Sequence, residues 1–137
     1  MTSLIEYSVS GVVAHFIYFA IASVAVVVFV GIYVMVTPHR ELTLIRQGNT
    51  AAAISLGGAM LGYTLPLAKA VAQSESLGDM VLWSVVALVA QLVAYCVARL
   101  VLPQLSSNVH EGKTASAVFL AAIAVCIGLL NAAAMTE

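Results

Sequence analysis

Residues 12–36 read VVAHFIYFAIASVAVVVFVGIYVMV, a run without one charged side chain. A helix needs about 20 predominantly apolar residues to cross the hydrocarbon core of a bilayer. Pro38 follows this run, and the residue before a proline is disfavoured in helical geometry, so the helix should end there. The stretch therefore predicts a transmembrane helix that is kept as a span, because no positively charged segment of a signal peptide precedes it.

The rest of the 137-residue chain has the same character, with 63% hydrophobic and 8% charged residues. Soluble domains carry about 25% charged residues. Further apolar runs predict helices at residues 50–67, 80–102 and 114–134. Open strands would leave unsatisfied edges in lipid, so the fold class is an all-α integral membrane protein with four transmembrane helices. The apolar spans make membrane lipids the expected partners. A net charge of −1 gives no basic surface for nucleic acid, so no nucleic-acid partner is expected.

The second half of the chain repeats the first. Placing Pro38 on Pro103, and then allowing a gap of one residue, aligns QGNTAAA at 47–53 with EGKTASA at 111–117. Each repeat contains two spans, so the second repeat enters the membrane in the same orientation as the first. The sequence thus predicts two tandem parallel-repeat helical hairpins. Their predicted bounds are residues 1–72 and residues 73–137.

The distribution of Lys and Arg predicts the orientation. The side of the membrane that carries the two hairpin loops holds Arg40, Arg46, Arg99 and Lys113. The opposite side holds Lys69. Because Lys and Arg near span ends favour the cytoplasm, we expect cytoplasmic hairpin loops and periplasmic termini.

Small residues recur at four-residue spacing on the second and fourth spans. Gly58 and Gly62 form a GxxxG motif, and Ala124 and Gly128 repeat the spacing. Such residues let helix backbones approach closely in lipid. The contacts that they predict could lie within one subunit or between the subunits of a homo-oligomer.

Several polar residues fall within the predicted spans, where polar groups are costly and are candidates for function. Arg99 lies near a span end, from which its long side chain can reach the interface. His15 and Asn131 each lie near the end of their span that is remote from the hairpin loops. Gln91 lies at mid-depth, so it should either hydrogen-bond to another helix or contact a pore or substrate. Tyr63 completes this set of candidates.

The first hairpin loop places His39 and Glu41 beside an arginine at a helix end. This pair could bind a proton or a cation, or it could belong to an ordinary solvated loop. The three histidines of the chain are scattered and lack the spacing of metal ligands. No nucleophile is framed by a base. We therefore expect no catalytic residues, no metal and no cofactor, and a protein that is not an enzyme.

Four motifs in order along the chain carry a family resemblance: TPHRE at 37–41, LGYTLPL at 61–67, ALVAQL at 87–92 and NAAAMT at 131–136. They resemble the YjfL-like bacterial inner-membrane proteins, the domain-of-unknown-function family 350. The resemblance implies an inner-membrane protein with four spans in two tandem copies. Some relatives are encoded beside coat proteins of the phage-shock type, which implies a peripheral cytoplasmic partner and a link to envelope stress.

Two functions are compatible with these features. In the first, the protein is a homo-oligomeric membrane scaffold whose cytoplasmic loops recruit a peripheral partner. In the second, it is an oligomeric channel or transporter for an ion or small solute, because four helices are few to enclose a path. The candidates for lining the path are Gln91, Asn131 and Tyr63, and Glu41 is a further candidate.

Overall fold

A computed structural model describes residues 1–38 and 40–135 of the chain. The described residues form six α-helices. Four of them are long and apolar enough to cross a membrane, which confirms the prediction of an all-helical protein with four spans. The helices are α1 (Thr2–Val36), α2 (Glu41–Arg46), α3 (Thr50–Gln73), α4 (Leu77–Val101), α5 (Leu105–His110) and α6 (Thr114–Ala134).

Two spans extend well beyond their predicted bounds, and α4 begins three residues earlier than predicted. Helix α1 begins at Thr2 rather than at residue 12, because the residues before the apolar run include no proline to break the helix. Helix α3 continues to Gln73, beyond the predicted end at Leu67, with Pro66 inside it. Membrane helices tolerate such a proline because neighbouring helices and local adjustments satisfy the backbone groups that it frees.

The sequence did not predict the six-residue helices α2 and α5. Each ends with the same backbone motif. Gly48 has φ +86° and Gly112 has φ +81°, a region that glycine enters at little cost. The amide of Gly48 donates to the carbonyl of Ile45 at 2.9 Å, and that of Gly112 donates to Val109 at 3.0 Å. Both ends are therefore Schellman caps, which turn the chain into the next span.

Helices α3 and α6 pack with their backbones in contact. A Cβ atom added to Gly128 would lie 2.6 Å from the Cα of Gly62, and one added to Gly58 would lie 2.5 Å from the Cα of Ala121. No side chain fits at these glycines without moving a backbone. The small residues of the second and fourth spans thus meet within one chain.

Helix α1 is the least enclosed span. Its loop-side half packs against the bundle through Phe29 and Tyr33, each 1% exposed. The ring of Phe29 stacks on Tyr63 with centroids 4.3 Å apart, and Tyr33 meets the edge of Tyr95 at 6.2 Å. In contrast, residues 1–17 are all exposed. Helix α1 therefore packs on the bundle through aromatic contacts near the loops and through a smaller apolar cluster that includes Tyr18 and Ile21.

We expect Gly62→Ala to lower the stability of the folded protein by about 1–3 kcal/mol, because the added methyl group forces α3 and α6 apart. Gly57→Ala is a matched control on the same helix, since a Cβ there has no neighbour within 4 Å. Thermal unfolding in detergent, followed by circular dichroism, measures the difference. Equal midpoints for the two variants would contradict the close backbone contact.

Candidate functional site

Gln91 lies where α3, α4 and α6 meet. Its side chain is 1% exposed, and its Nε2 donates a 3.1 Å hydrogen bond to the carbonyl of Ala124. A Cβ on Gly62 would lie 2.6 Å from the same Nε2. The predicted polar candidate and three of the predicted packing residues, Gly62, Ala124 and Gly128, therefore form one junction.

The geometry of this junction is that of a contact between helices. The amide of Gln91 is covered by the backbone of α6 and by the glycine surface of α3. Its Oε1 has no hydrogen-bond partner among the described residues. Interhelical hydrogen bonds within membranes contribute about 0.6 kcal/mol on average. Gln91 thus fixes α4 on the α3–α6 pair, and it leaves one buried acceptor free.

A second polar cluster lies at the loop-side end of α1. Glu41 is 0% exposed and Thr37 is 2% exposed, so the solvated-loop interpretation is wrong for Glu41. The hydroxyl of Thr37 lies 2.6 Å and 2.8 Å from the two carboxylate oxygens of Glu41. The same hydroxyl lies 2.9 Å from the carbonyl oxygen of Tyr33. His39, the other loop candidate, lies outside the described residues.

Two tyrosines extend this cluster into the bundle. The carbonyl of Tyr33 on α1 lies beside the Thr37 hydroxyl, and the ring of Tyr33 meets the edge of Tyr95 on α4. Arg99, on the same helix as Tyr95, is exposed; its reach to the membrane interface stays a prediction. The cluster therefore couples the start of α2 to two spans. Sequence reasoning singled out Glu41 but missed this grouping, because Tyr33, Glu41 and Tyr95 lie on three separate helices.

The remaining predicted residues do not join either group of polar contacts. His15 is exposed and stacks on Phe19 with ring centroids 6.1 Å apart. Asn131 is partly buried, and its Nδ2 has no partner among the described residues. Tyr63 is 3% exposed and belongs to the aromatic contact with Phe29. The structure therefore does not bring the residues proposed for a polar path into one site.

Two further polar residues connect the halves of the chain. Asn49 caps the start of α3, where its side chain accepts from the amide of Ala52 at 3.0 Å. Its Nδ2 also donates to the carbonyls of Val109 at 3.0 Å and His110 at 3.1 Å. At the other end of the bundle, the ammonium of Lys69 donates to the carbonyl of Ala132 at 2.7 Å. A cation is favourable beside the last carbonyls of a helix, which supports the contact of Lys69. Each end of the bundle therefore has one polar link between the two halves of the chain.

We expect Thr37→Val to lower the free energy of unfolding by about 1–3 kcal/mol, because the buried carboxylate of Glu41 loses a hydroxyl neighbour. Thr37→Ser is the matched control, since it keeps that hydroxyl. Thermal unfolding in detergent compares the two variants with the unmodified protein. A valine variant as stable as the serine variant would show that the contact with Glu41 contributes little.

Comparison with known proteins places the chain among inner-membrane proteins. The family described as Domain of Unknown Function (DUF350) matches residues 7–135. UPF0719 inner membrane protein YjfL of Escherichia coli K12 is 40% identical over 119 residues, which cover 87% of this chain and 90% of the relative. UPF0719 transmembrane protein YshE of Bacillus subtilis 168 is 26% identical over 112 residues, 82% of this chain and 84% of the relative. No solved structure matches the chain.

Proposed function

The chain belongs to the DUF350 family of inner-membrane proteins, and we propose that it is a homo-oligomeric membrane scaffold. Its hairpin loops, which include α2 and α5, recruit a peripheral protein partner. The observation that carries this proposal is the link from Asn49 to the carbonyls of Val109 and His110. This link joins the loops of the two halves into one surface, which we call the loop face.

The loop face has the shape and polarity of a protein-binding surface. A groove of 500 Å³ runs between the two Schellman caps and is lined by Leu44, Gln47, Gly48, Asn49, Thr50, His110, Glu111, Gly112 and Thr114. A second groove of 410 Å³ shares His110 and Glu111. Both grooves are open and belong to short helices whose ends are fixed by hydrogen bonds. A partner can therefore bind here without a large rearrangement of the loops.

Charge supports a cytoplasmic position for the loop face. Arg40, Arg46, Arg99 and Lys113 lie at this end of the bundle and Lys69 lies towards the other, the asymmetry that favours cytoplasmic loops and periplasmic termini. Lys113 pairs with Glu111 at 3.3 Å, and the exposed arginines suit an acidic surface on the partner. A peripheral coat protein of the phage-shock type, acting in envelope stress, is the partner class that we propose.

The caps also support a tandem-repeat origin of the two halves, residues 1–72 and 73–137. In each half a long helix is followed by a six-residue helix and a second long helix. Gly48 and Gly112 have nearly the same φ, and each precedes a span that begins with threonine. We propose that the halves are parallel repeats, which explains why both loops occupy one face.

We expect a peripheral protein to co-purify with the tagged, detergent-solubilised chain. Arg46→Glu combined with Lys113→Glu should reduce its recovery about tenfold, because the reversed charges repel an acidic surface. Glu6→Lys is the control, since it also changes charge but lies near the start of α1. Mass spectrometry of the recovered material quantifies the partner. Repeated purification of the unmodified chain without a partner would overturn the scaffold proposal.

A small oligomeric channel or transporter is the second candidate function. Among the described residues, Oε1 of Gln91 and Nδ2 of Asn131 have no hydrogen-bond partner. This favours a channel, since unpaired polar atoms in a membrane can contact a permeating solute. The packing around Gln91 favours the scaffold. Gly62 and the α6 backbone occupy the space beside the Gln91 amide, which leaves little room there for a solute.

Flux measurements in liposomes distinguish the two functions. For a scaffold we expect reconstituted protein to conduct protons and common ions no faster than protein-free liposomes. Gln91→Leu should leave that background unchanged. Flux that exceeds the background and falls in the Gln91→Leu variant would instead establish the channel.

A further inference from the structure

A lateral groove of 570 Å³ lies between α3 and the half of α1 that is remote from the loop face. Its walls are largely apolar. Polar groups are present at two depths, and the groove is open along one side. It is lined by Ala14, His15, Tyr18, Phe19, Ala22, Ser23, Val26, Thr64, Leu67, Ala68 and Val71.

The position of the groove along the helices gives its depth in the membrane. At about 1.5 Å per residue, His15 lies roughly 32 Å from the loop-side end of α1 at Val36. Val71 lies at a similar distance from the loop-side end of α3 at Thr50. The inner end of the groove, at Val26 and Thr64, lies roughly 15–21 Å from the same side. The groove therefore spans about one leaflet of a hydrocarbon core that is roughly 30 Å thick.

The side groups are arranged for an amphipathic molecule. Phe19, Leu67 and Val71 supply apolar walls along the length of the groove. His15 and Tyr18 lie at its outer end, at the level of the headgroups, where the amphipathic side chains of aromatic residues are favoured. The hydroxyl of Ser23 can donate a hydrogen bond to a carbonyl of its own helix. It therefore needs no polar group from a molecule in the groove.

We propose that this groove binds the acyl chain of one phospholipid from the leaflet opposite the loop face. The headgroup lies beside His15 and Tyr18, and the ester oxygens of the lipid accept a hydrogen bond from the Tyr18 hydroxyl. Its opening faces the membrane at hydrocarbon depth, so a lipid enters it by lateral diffusion. The volume lies within the range of about 300–1,000 Å³ that is typical of ligand sites.

Native mass spectrometry of the intact protein, released from nanodiscs of phosphatidylethanolamine, tests this proposal. We expect one phospholipid to be retained per chain. Ala68→Phe places a ring in the groove and should weaken retention at least about tenfold. Ala53→Phe is the matched control, because it makes the same change at an exposed position of α3 that does not line the groove.

The outcomes are distinct. Loss of the lipid in Ala68→Phe, with the control and the oligomer mass unchanged, supports the proposal. Retention of the lipid by a folded Ala68→Phe protein overturns it. A fall in oligomer mass without loss of lipid also overturns it, since the occupant is then a second copy of the chain. If the circular dichroism spectrum shows that Ala68→Phe does not fold, Ala14→Phe replaces it. This variant blocks the end of the groove remote from the loop face, and the same outcomes in lipid retention apply to it.

Discussion

The direct contact between the backbones of α3 and α6 is the constraint on which the other packing depends. In lipid, apolar surface alone does not drive helices together, so association relies on close packing and on hydrogen bonds between helices. Gly62 and Gly128 bring the two backbones into contact. The carbonyl of Ala124 is thereby placed within 3.1 Å of Gln91, which fixes α4. Helix α1 packs on these three helices through its aromatic residues.

The two ends of the bundle use polar contacts differently. At the loop face, a buried carboxylate and the Asn49 link hold short helices against the spans. At the opposite end, Lys69 donates to a terminal carbonyl of α6, and residues 2–17 of α1 are exposed in the part of the chain that the structure describes. The loop face, which we propose binds a protein partner, is therefore held together by hydrogen bonds between separate elements. The other end leaves space that the surrounding membrane can fill.

Much of the fold was predictable because each span must exclude charged residues, and an uncharged run of that length is visible in the local sequence alone. Residues 12–36 identify a span without reference to any other part of the chain. Glycines at four-residue spacing likewise predicted close packing at Gly58 and Gly62. The partner helix was not predictable, because the same spacing serves contacts within and between subunits. The burial of Glu41 was missed for a related reason: it depends on neighbours distant in sequence, and an isolated charged residue near a proline suggests a solvated loop.

The seam between α3 and α6 also constrains how this protein can evolve. A residue with a side chain at position 62 or 128 collides with a backbone, and no change in a neighbouring side chain can relieve that collision. Substitutions at Gly31 and Gly57 meet open space. Neutral drift can thus remodel the lipid-facing surface freely, while the two seam positions cannot exchange glycine for another residue without separating the helices.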